Sequence, residues 1–192
     1  MHESTAYPQV FAPGLLNGQV ALVTGGGTGI GLGISELLAE LGAHVVIASR
    51  KPQHLEAALT TITARGHQAS VVQLDVRDNE QVKAVVDGVA ATHGRLDLLV
   101  NNAAGNFYAP SATLSPNAWK AVVEIDLYGT FYCSQAVYPI MAKQGGGRIV
   151  STSMTLHYRG WPLMAHATAS VRVSASTPAL AAVACAMSGQ PR

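Results

Sequence analysis

Residues 19–31 read QVALVTGGGTGIG, and the reading of the whole chain grows from that run. Residues 19–24 (QVALVT) are short, apolar and β-rich, the pattern of a buried strand. Thr24-Gly25-Gly26-Gly27-Thr28-Gly29-Ile30-Gly31 then turns the chain. From 29 to 41 apolar residues recur at helical spacing, with Ile30, Ile34, Leu37, Leu38 and Leu41 on one side, and Gly42 stands where a helix closes. Strand, glycine turn and helix in this order form an anion cradle. Glycines let the backbone approach a pyrophosphate, and the free N–H groups of the helix N-terminus carry partial positive charge. The spacing is G-x-x-x-G-x-G rather than G-x-G-x-x-G, so the signal rests on its strand–turn–helix context. The alternative is a tight turn with no ligand, in which so many glycines would cost backbone entropy to no purpose. The candidate phosphate-binding residues are Gly25, Thr28, Gly29, Ile30 and Gly31.

Working outward, apolar strand-like runs fall at 44–48 (HVVIA), 68–74, 96–101 (LDLLVN) and 148–152 (RIVST). Helical patterns fall between them at 52–64, 79–92 and 116–143. Pro52 and Ser115-Pro116 mark helix starts, and Gly129 and Pro139 mark bends in the last of these. Strict alternation predicts parallel βαβ units with right-handed crossovers. The expected fold is therefore α/β, a doubly wound parallel Rossmann sheet in a three-layer αβα sandwich. One domain is expected over 1–170. The tail, 171–192 (VRVSASTPALAAVACAMSGQPR), lacks charge pairs and clear periodicity, and disorder is one reading of such a composition. The chain stops where a doubly wound sheet needs further strands to cover its open edge, so C-terminal strands are expected to be missing.

The totals narrow the classes. A chain of 192 residues with 48% hydrophobic and 12% charged suits one α/β domain with a real core. A net charge of +1 gives no reason to expect nucleic acid or an anionic membrane as the main partner. Cys133 and Cys185 offer neither a disulfide framework nor metal spacing, and no metal is expected. They suit a reducing compartment: the cytoplasm, or a peroxisome or mitochondrion in a eukaryote. Residues 1–17 lack a basic and then apolar leader pattern, and no apolar run is long enough to span a bilayer. All 11 acidic residues lie at or before Asp126, so the chain's composition shifts toward its end.

The second strand carries the choice of dinucleotide. An NAD site usually places Asp or Glu about 20 residues past the glycine turn, to hold the ribose diol. Ser49-Arg50-Lys51 stands there instead. A guanidinium and an ammonium suit a 2′-phosphate, which favours NADPH. A solvated helix entry is the plainer reading of the two cations. Asp75-Val76 ends the third strand, where a carboxylate accepts from an adenine amino group, caps the next helix, or does both.

The run 24–31 together with Asn101-Asn102-Ala103 after strand four resembles the short-chain dehydrogenase/reductase family, over roughly 16–170. NNAAGNF (101–107), LSPNAWK (114–120) and IASRK (47–51) are similar to the 2,4-dienoyl-CoA reductases. APGLLNGQVALVTGG (12–26) is also similar to the peroxisomal trans-2-enoyl-CoA reductase. The resemblance implies roles. Asn102 and Ala103 lie along the cofactor. Asn106 donates its amide to a thioester carbonyl, where negative charge grows as hydride arrives; a turn-forming Asn is the alternative. Phe107 lines an acyl pocket, Arg77 contacts acyl-CoA, and Ser115 touches substrate or simply caps its helix. A homo-oligomer is implied for the intact family.

The family's Asn-Ser-Tyr-Lys set is not matched. Its Asn position is Asp126, as an acid also stands there in the peroxisomal dienoyl-CoA reductases; Asp126 is either a proton relay or an ordinary helix residue. Its Ser position is Met154 and its Tyr position Ala167, a tyrosine the dienoyl-CoA reductases also lack. The mitochondrial type has an earlier Tyr at the place of Leu156, beside which His157 and Tyr158 stand; Tyr158 is the catalytic candidate, with His166 a further one. The lysine that holds the nicotinamide ribose falls on Val171, and Arg172 on a helix points about 100° away. A reading-frame shift or truncation near Val171 is expected from this break, with loss of later strands, the substrate lid and part of a subunit interface. The function expected is NADPH-dependent reduction of an unsaturated fatty acyl-CoA. A short-chain reductase acting on a carbonyl ranks below it because the Ser-Tyr-Lys set is absent, and a cofactor-binding remnant without turnover is the reading from another class.

Overall fold

The computed structural model describes residues 10–154, 160 and 162–176, the last six as backbone alone. The elements run β1 (Val20–Thr24), α1 (Gly29–Glu40), β2 (His44–Ser49), α2 (Pro52–Thr63), β3 (Ala69–Gln73), α3 (Asn79–His93) and β4 (Leu98–Asn101). A 3₁₀ turn (Ser111–Thr113), α4 (Pro116–Val123), a π-helical segment (Glu124–Gly129), α5 (Thr130–Lys143), β5 (Arg148–Ser151) and α6 (Ala165–Ser176) follow. The five strands are all parallel in the order β3-β2-β1-β4-β5. This is the doubly wound Rossmann arrangement the alternation predicts. The winding reverses between β1 and β4, so a crevice opens past their carboxyl ends.

Strands covered on both faces read as unbroken apolar runs, and successive side chains go to opposite sides. Val20 and Leu22 of β1 join Val82, Val86 and Val89 of α3 and Val137 and Met141 of α5 in one core. Ala21 and Val23 join Ala39 of α1 and Leu55, Ala58 and Ile62 of α2 in the other. Helices thus cover both faces, giving three layers. β5 differs: Arg148, Val150 and Ser151 are exposed, and among the described residues no strand pairs its outer edge. No described helix is long and apolar enough to cross a membrane.

One sequence expectation is corrected in part. Of the apolar side assigned to α1, Leu41 is buried and Ile34 and Leu38 pack half-buried against the core, but Ile30 and Leu37 are exposed, and the most deeply buried residues are Gly31, Ser35 and Ala39, spaced by four. Small residues let α1 lie close against the glycine turn and the sheet, and that contact outweighs the pull of larger apolar side chains. Ser35 fits there because its hydroxyl donates to the carbonyl of Gly31 at 2.9 Å. The helix expected over 116–143 is continuous from Pro116 to Lys143, with a π-helical segment, Glu124–Gly129, that ends at the glycine marked as a bend. Pro139 lies inside α5, which continues to Lys143. Most other boundaries agree to within a residue or two. α6 runs to Ser176, past residue 170, where regular structure was expected to fade; residues 177–192 lie outside the described residues.

Candidate cofactor and active site

The crevice at the reversal point holds a cavity of about 590 Å³. Gly25, Thr28, Ile30 and Gly31 line it from the glycine turn, Ser49, Arg50 and Lys51 from the end of β2, and Asn102 and Ala103 from the loop after β4. The size falls within the range of small-molecule pockets, roughly 300–1,000 Å³. None of the described lining residues is an Asp or Glu. Thr28 is the N-cap of α1 yet makes no side-chain cap bond, and the first turn of α1 carries no acid. Its free N–H groups and positive end are therefore left for an anion. Gly31 must be glycine: a Cβ there would collide with the backbone carbonyl of Gly25 and lie 2.5 Å from Nδ2 of Asn102. These features fit a dinucleotide pyrophosphate.

Thr24 fastens the far wall. Its buried hydroxyl donates to the carbonyl of Val100 at 3.3 Å and accepts from the N–H groups of Asn102 at 3.0 Å and Ala103 at 3.1 Å. The Asn102 amide donates to the carbonyls of Thr24 and Gly25, both at 3.3 Å. β1 and β4 are thus locked together where the cavity begins.

Other predicted residues lie off the cavity. Gly29 opens α1 at φ 54°, with no atom within 4 Å of where a Cβ would stand, and is not part of the lining. Leu74 and Val76 line the cavity, but Asp75 between them faces a shallower hollow with Arg77, Asp78, Asn79, Glu80 and Glu124. Arg77 turns back onto Asp75: Nε donates to Oδ1 at 3.0 Å and Nη2 to Oδ2 at 2.5 Å. The hydrogen bonds from Arg77 hold the Asp75 carboxyl below its ordinary range. Ser115 caps α4, accepting from the N–H of Ala118 at 3.2 Å. Asn106 is exposed and its Oδ1 accepts from the N–H of Phe107 at 2.8 Å. The Phe107 ring stands 4.6 Å from that of His166, which is fully buried. Ala167 is buried beside Val122 and Met164. Tyr158, with Leu156 and His157, lies outside the described residues, as does the side chain of Val171.

Asp126 sits in the π-helical segment, an element often found at functional sites. Burial pushes its carboxyl up to about 6, against a hydrogen bond from the Gly105 N–H that acts the other way. Cys133 lies on the buried side of α5, and burial pushes its thiol up to about 12, away from the reactive thiolate. Among the described residues no group of three or more His, Cys, Asp or Glu is placed to hold a metal.

The sequence reading missed several lining residues: Ala48, His54, Leu74, Ala104, Ile125, Thr152 and Ser153. Thr152 and Ser153 follow the last strand, so the same carboxyl-end rule that found Ser49 could have found them. Met154, noted only as a mismatch, also lines the cavity.

The short chain dehydrogenase family profile matches residues 19–180. The chain is 46% identical over 162 residues to a peroxisomal 2,4-dienoyl-CoA reductase of Danio rerio, covering 84% of this chain and 54% of the relative. It is 43% identical to the Pongo abelii protein of the same name, covering 92% and 61%. The chain therefore spans little more than half the length of these relatives. Among solved structures it is similar to a citronellol catabolism dehydrogenase of Pseudomonas aeruginosa PAO1, with a TM-score of 0.87, 34% identity, and 94% and 74% of the two chains covered.

Proposed function

The chain belongs to the short-chain dehydrogenase family, and on that premise we propose that it binds NADPH and reduces an unsaturated fatty acyl-CoA, either a 2,4-dienoyl-CoA or a trans-2-enoyl-CoA. One observation carries the cofactor: an uncapped, acid-free helix N-terminus and the Arg50–Lys51 pair line the same cavity, with no carboxylate among its described lining residues. Relatives named as 2,4-dienoyl-CoA reductases support the substrate class.

When bound, NADPH supplies the hydride. The chain's own groups position and polarise. Gly25 and the first turn of α1 hold the pyrophosphate, Arg50 and Lys51 the 2′-phosphate, and Asn102 and Ala103 flank the cofactor. Asn106 has its oxygen committed to the Phe107 N–H, which leaves its amide hydrogens to donate to a thioester carbonyl. Asp126 keeps a proton to higher pH than an ordinary carboxyl does, which suits a relay to the substrate carbon, with Tyr158 the other candidate. Arg77 and Phe107 meet the acyl-CoA, with Ser115 at the entrance. A peroxisomal location, the one printed in the names of these relatives, and assembly as a homo-oligomer complete this reading.

Val171 in place of the ribose-holding lysine favours one second reading, a chain that binds NADPH without turnover. Purified protein separates the two. NADPH oxidation on adding a 2,4-dienoyl-CoA, and none on adding a ketone, supports reduction. Enhanced NADPH fluorescence without oxidation supports the second reading. Oxidation with ketones alone would replace both with a carbonyl reductase.

A further inference from the structure

Two apolar stripes meet at the amino end of the sheet, and each finishes in a histidine. On α3 the buried line runs through Val82, Val86 and Val89 at helical spacing, and four residues later it reaches His93 in the last turn. On β2 side chains two apart share a face, so His44 lies on the side of Val46 and Ala48. Those two join Val82, Val86 and Val89 in one core. At the end of that core the rings of His44 and His93 meet, with centroids 4.3 Å apart and planes tilted by 44°. Both histidines are half-buried. An aliphatic side chain at either place would simply extend its stripe. Two imidazoles make the contact titratable, and two imidazolium cations this close repel each other.

The other groups around His44 are neutral. Its backbone N–H donates to the carbonyl of Gln19, just before β1, at 2.9 Å. From β3, the Ser70 hydroxyl stands 3.0 Å from Nε2, and the Gln68 side chain before that strand also bonds the ring. From α3 it faces His93. Among the described residues His93 is the one titratable group whose charge acts on His44. Arg95, the nearest charged residue along the chain to His93, is paired with Asp97 at 2.7 Å. Burial first, and then His93, hold the His44 imidazole below its ordinary range, against the bond to Gln68. The unfolded imidazole therefore takes its proton first as pH falls. The contribution of the contact is whole above the ordinary value of 6.5 and is lost as pH falls from there toward the folded value.

We propose that His44 and His93 form an acid-sensitive latch, which holds the last turn of α3 to the first residues of β2 and β3 while the imidazoles are neutral and frees it as they take up protons. The latch lies at the amino ends of the strands. The cavity opens past their carboxyl ends and neither histidine lines it, so the inference stands apart from the cofactor reading.

The test is hydrogen–deuterium exchange of the full chain at about pH 7.5 and about pH 5.5, read on peptides covering 89–94 and 44–49 and corrected for the intrinsic pH dependence of exchange. In the wild type, opening of these segments is expected to rise at least about threefold at the lower pH. His93→Leu and His44→Val each extend an apolar stripe, and either is expected to hold opening within about twofold between the two pH values. If one variant folds poorly, the other serves. Equal protection of the wild type at both pH values, or the same acid-induced opening in wild type and variants, overturns the proposal. A rise of equal size in α1, on the opposite face of the sheet, would mean general loosening and overturns it too.

Discussion

The carboxylate of Asp126 accepts a hydrogen bond from the backbone N–H of Gly105 at 2.9 Å, and so joins the π-helical segment to the loop that carries Asn102, Ala103 and Asn106. Ile125 beside it reinforces the contact: its Cδ1 stands 2.7 Å from where a Cβ on Gly105 would lie. The π-helical segment and this loop are therefore one mechanical unit.

Burial raises the folded Asp126 carboxyl to about 6 from its ordinary value of 3.8. The unfolded carboxyl ionises first as pH rises, so the folded state is relatively most stable below the lower value. It loses on the order of 2 kcal/mol as pH climbs toward the upper one, and the loss levels off above it. Asp126→Asn keeps an oxygen for the Gly105 N–H and removes the titration. Urea midpoints measured at a series of pH values across that window are expected to fall for the wild type and to fall less for the variant. Equal declines in both would refute the assignment.

Asp97 has the opposite sign. Burial alone would raise its carboxyl. The two bonds from Arg95, each at 2.7 Å, and the Val20 N–H at 2.8 Å outweigh it, and the group is held below its ordinary range. Its contribution is present above the unfolded value and is lost as pH falls through the folded one. Because it ties the start of β1 to β4, Asp97→Ala is expected to cost about 2 kcal/mol near neutral pH, seen as a lower urea midpoint. A smaller penalty at low pH than at neutral pH is also expected. A penalty unchanged with pH would mean the charge contributes nothing.

Thr24→Val keeps shape and removes the hydroxyl that gathers Val100, Asn102 and Ala103. About 1–3 kcal/mol of stability should go with it, since two backbone N–H groups lose their partner. Dinucleotide affinity should drop as well, because Asn102 and Ala103 line the cavity. Unchanged affinity in a destabilised variant would show that this wall does not touch the cofactor.

Two glycines of α1 make a matched pair. A Cβ on Gly31 meets the Gly25 backbone, which cannot step aside, whereas a Cβ on Gly33 meets nothing within 4 Å. Gly31→Ala is expected to lower both stability and dinucleotide affinity. Gly33→Ala should leave binding intact and raise stability by about 0.5–1 kcal/mol, as alanine is the better helix former. Similar behaviour of the two variants would contradict the close packing of α1 on the turn.

The sheet was legible because buried parallel strands such as 20–24 and 44–49 are continuous apolar runs, and because glycine, proline and serine mark the ends of the helices between them. Much of the cavity lining was legible for the same reason: the strand ends and the first helix entry are local signals. What sequence could not show depends on contacts between distant segments. The most deeply buried line of α1 is set by how near it lies to the glycine turn, so small residues stand at the closest contact and Ile30 and Leu37, which periodicity placed inside, are exposed. The π-helical segment leaves only Gly129 as a trace. The pairing of Arg77 with the Asp75 carboxylate two residues away was likewise not read from the sequence. His54 was passed over because nothing in its neighbours shows that Gly27 abuts it.

The most direct test of the central claim is titration of the folded chain and its Arg50→Ala variant with NADPH and NADH, followed by dinucleotide fluorescence. The wild type is predicted to bind NADPH at least about tenfold more tightly than NADH, and the variant to lose most of that preference, as expected when a guanidinium–phosphate contact is removed. A folded sample with no affinity for either dinucleotide, or with equal affinity for both, would contradict it.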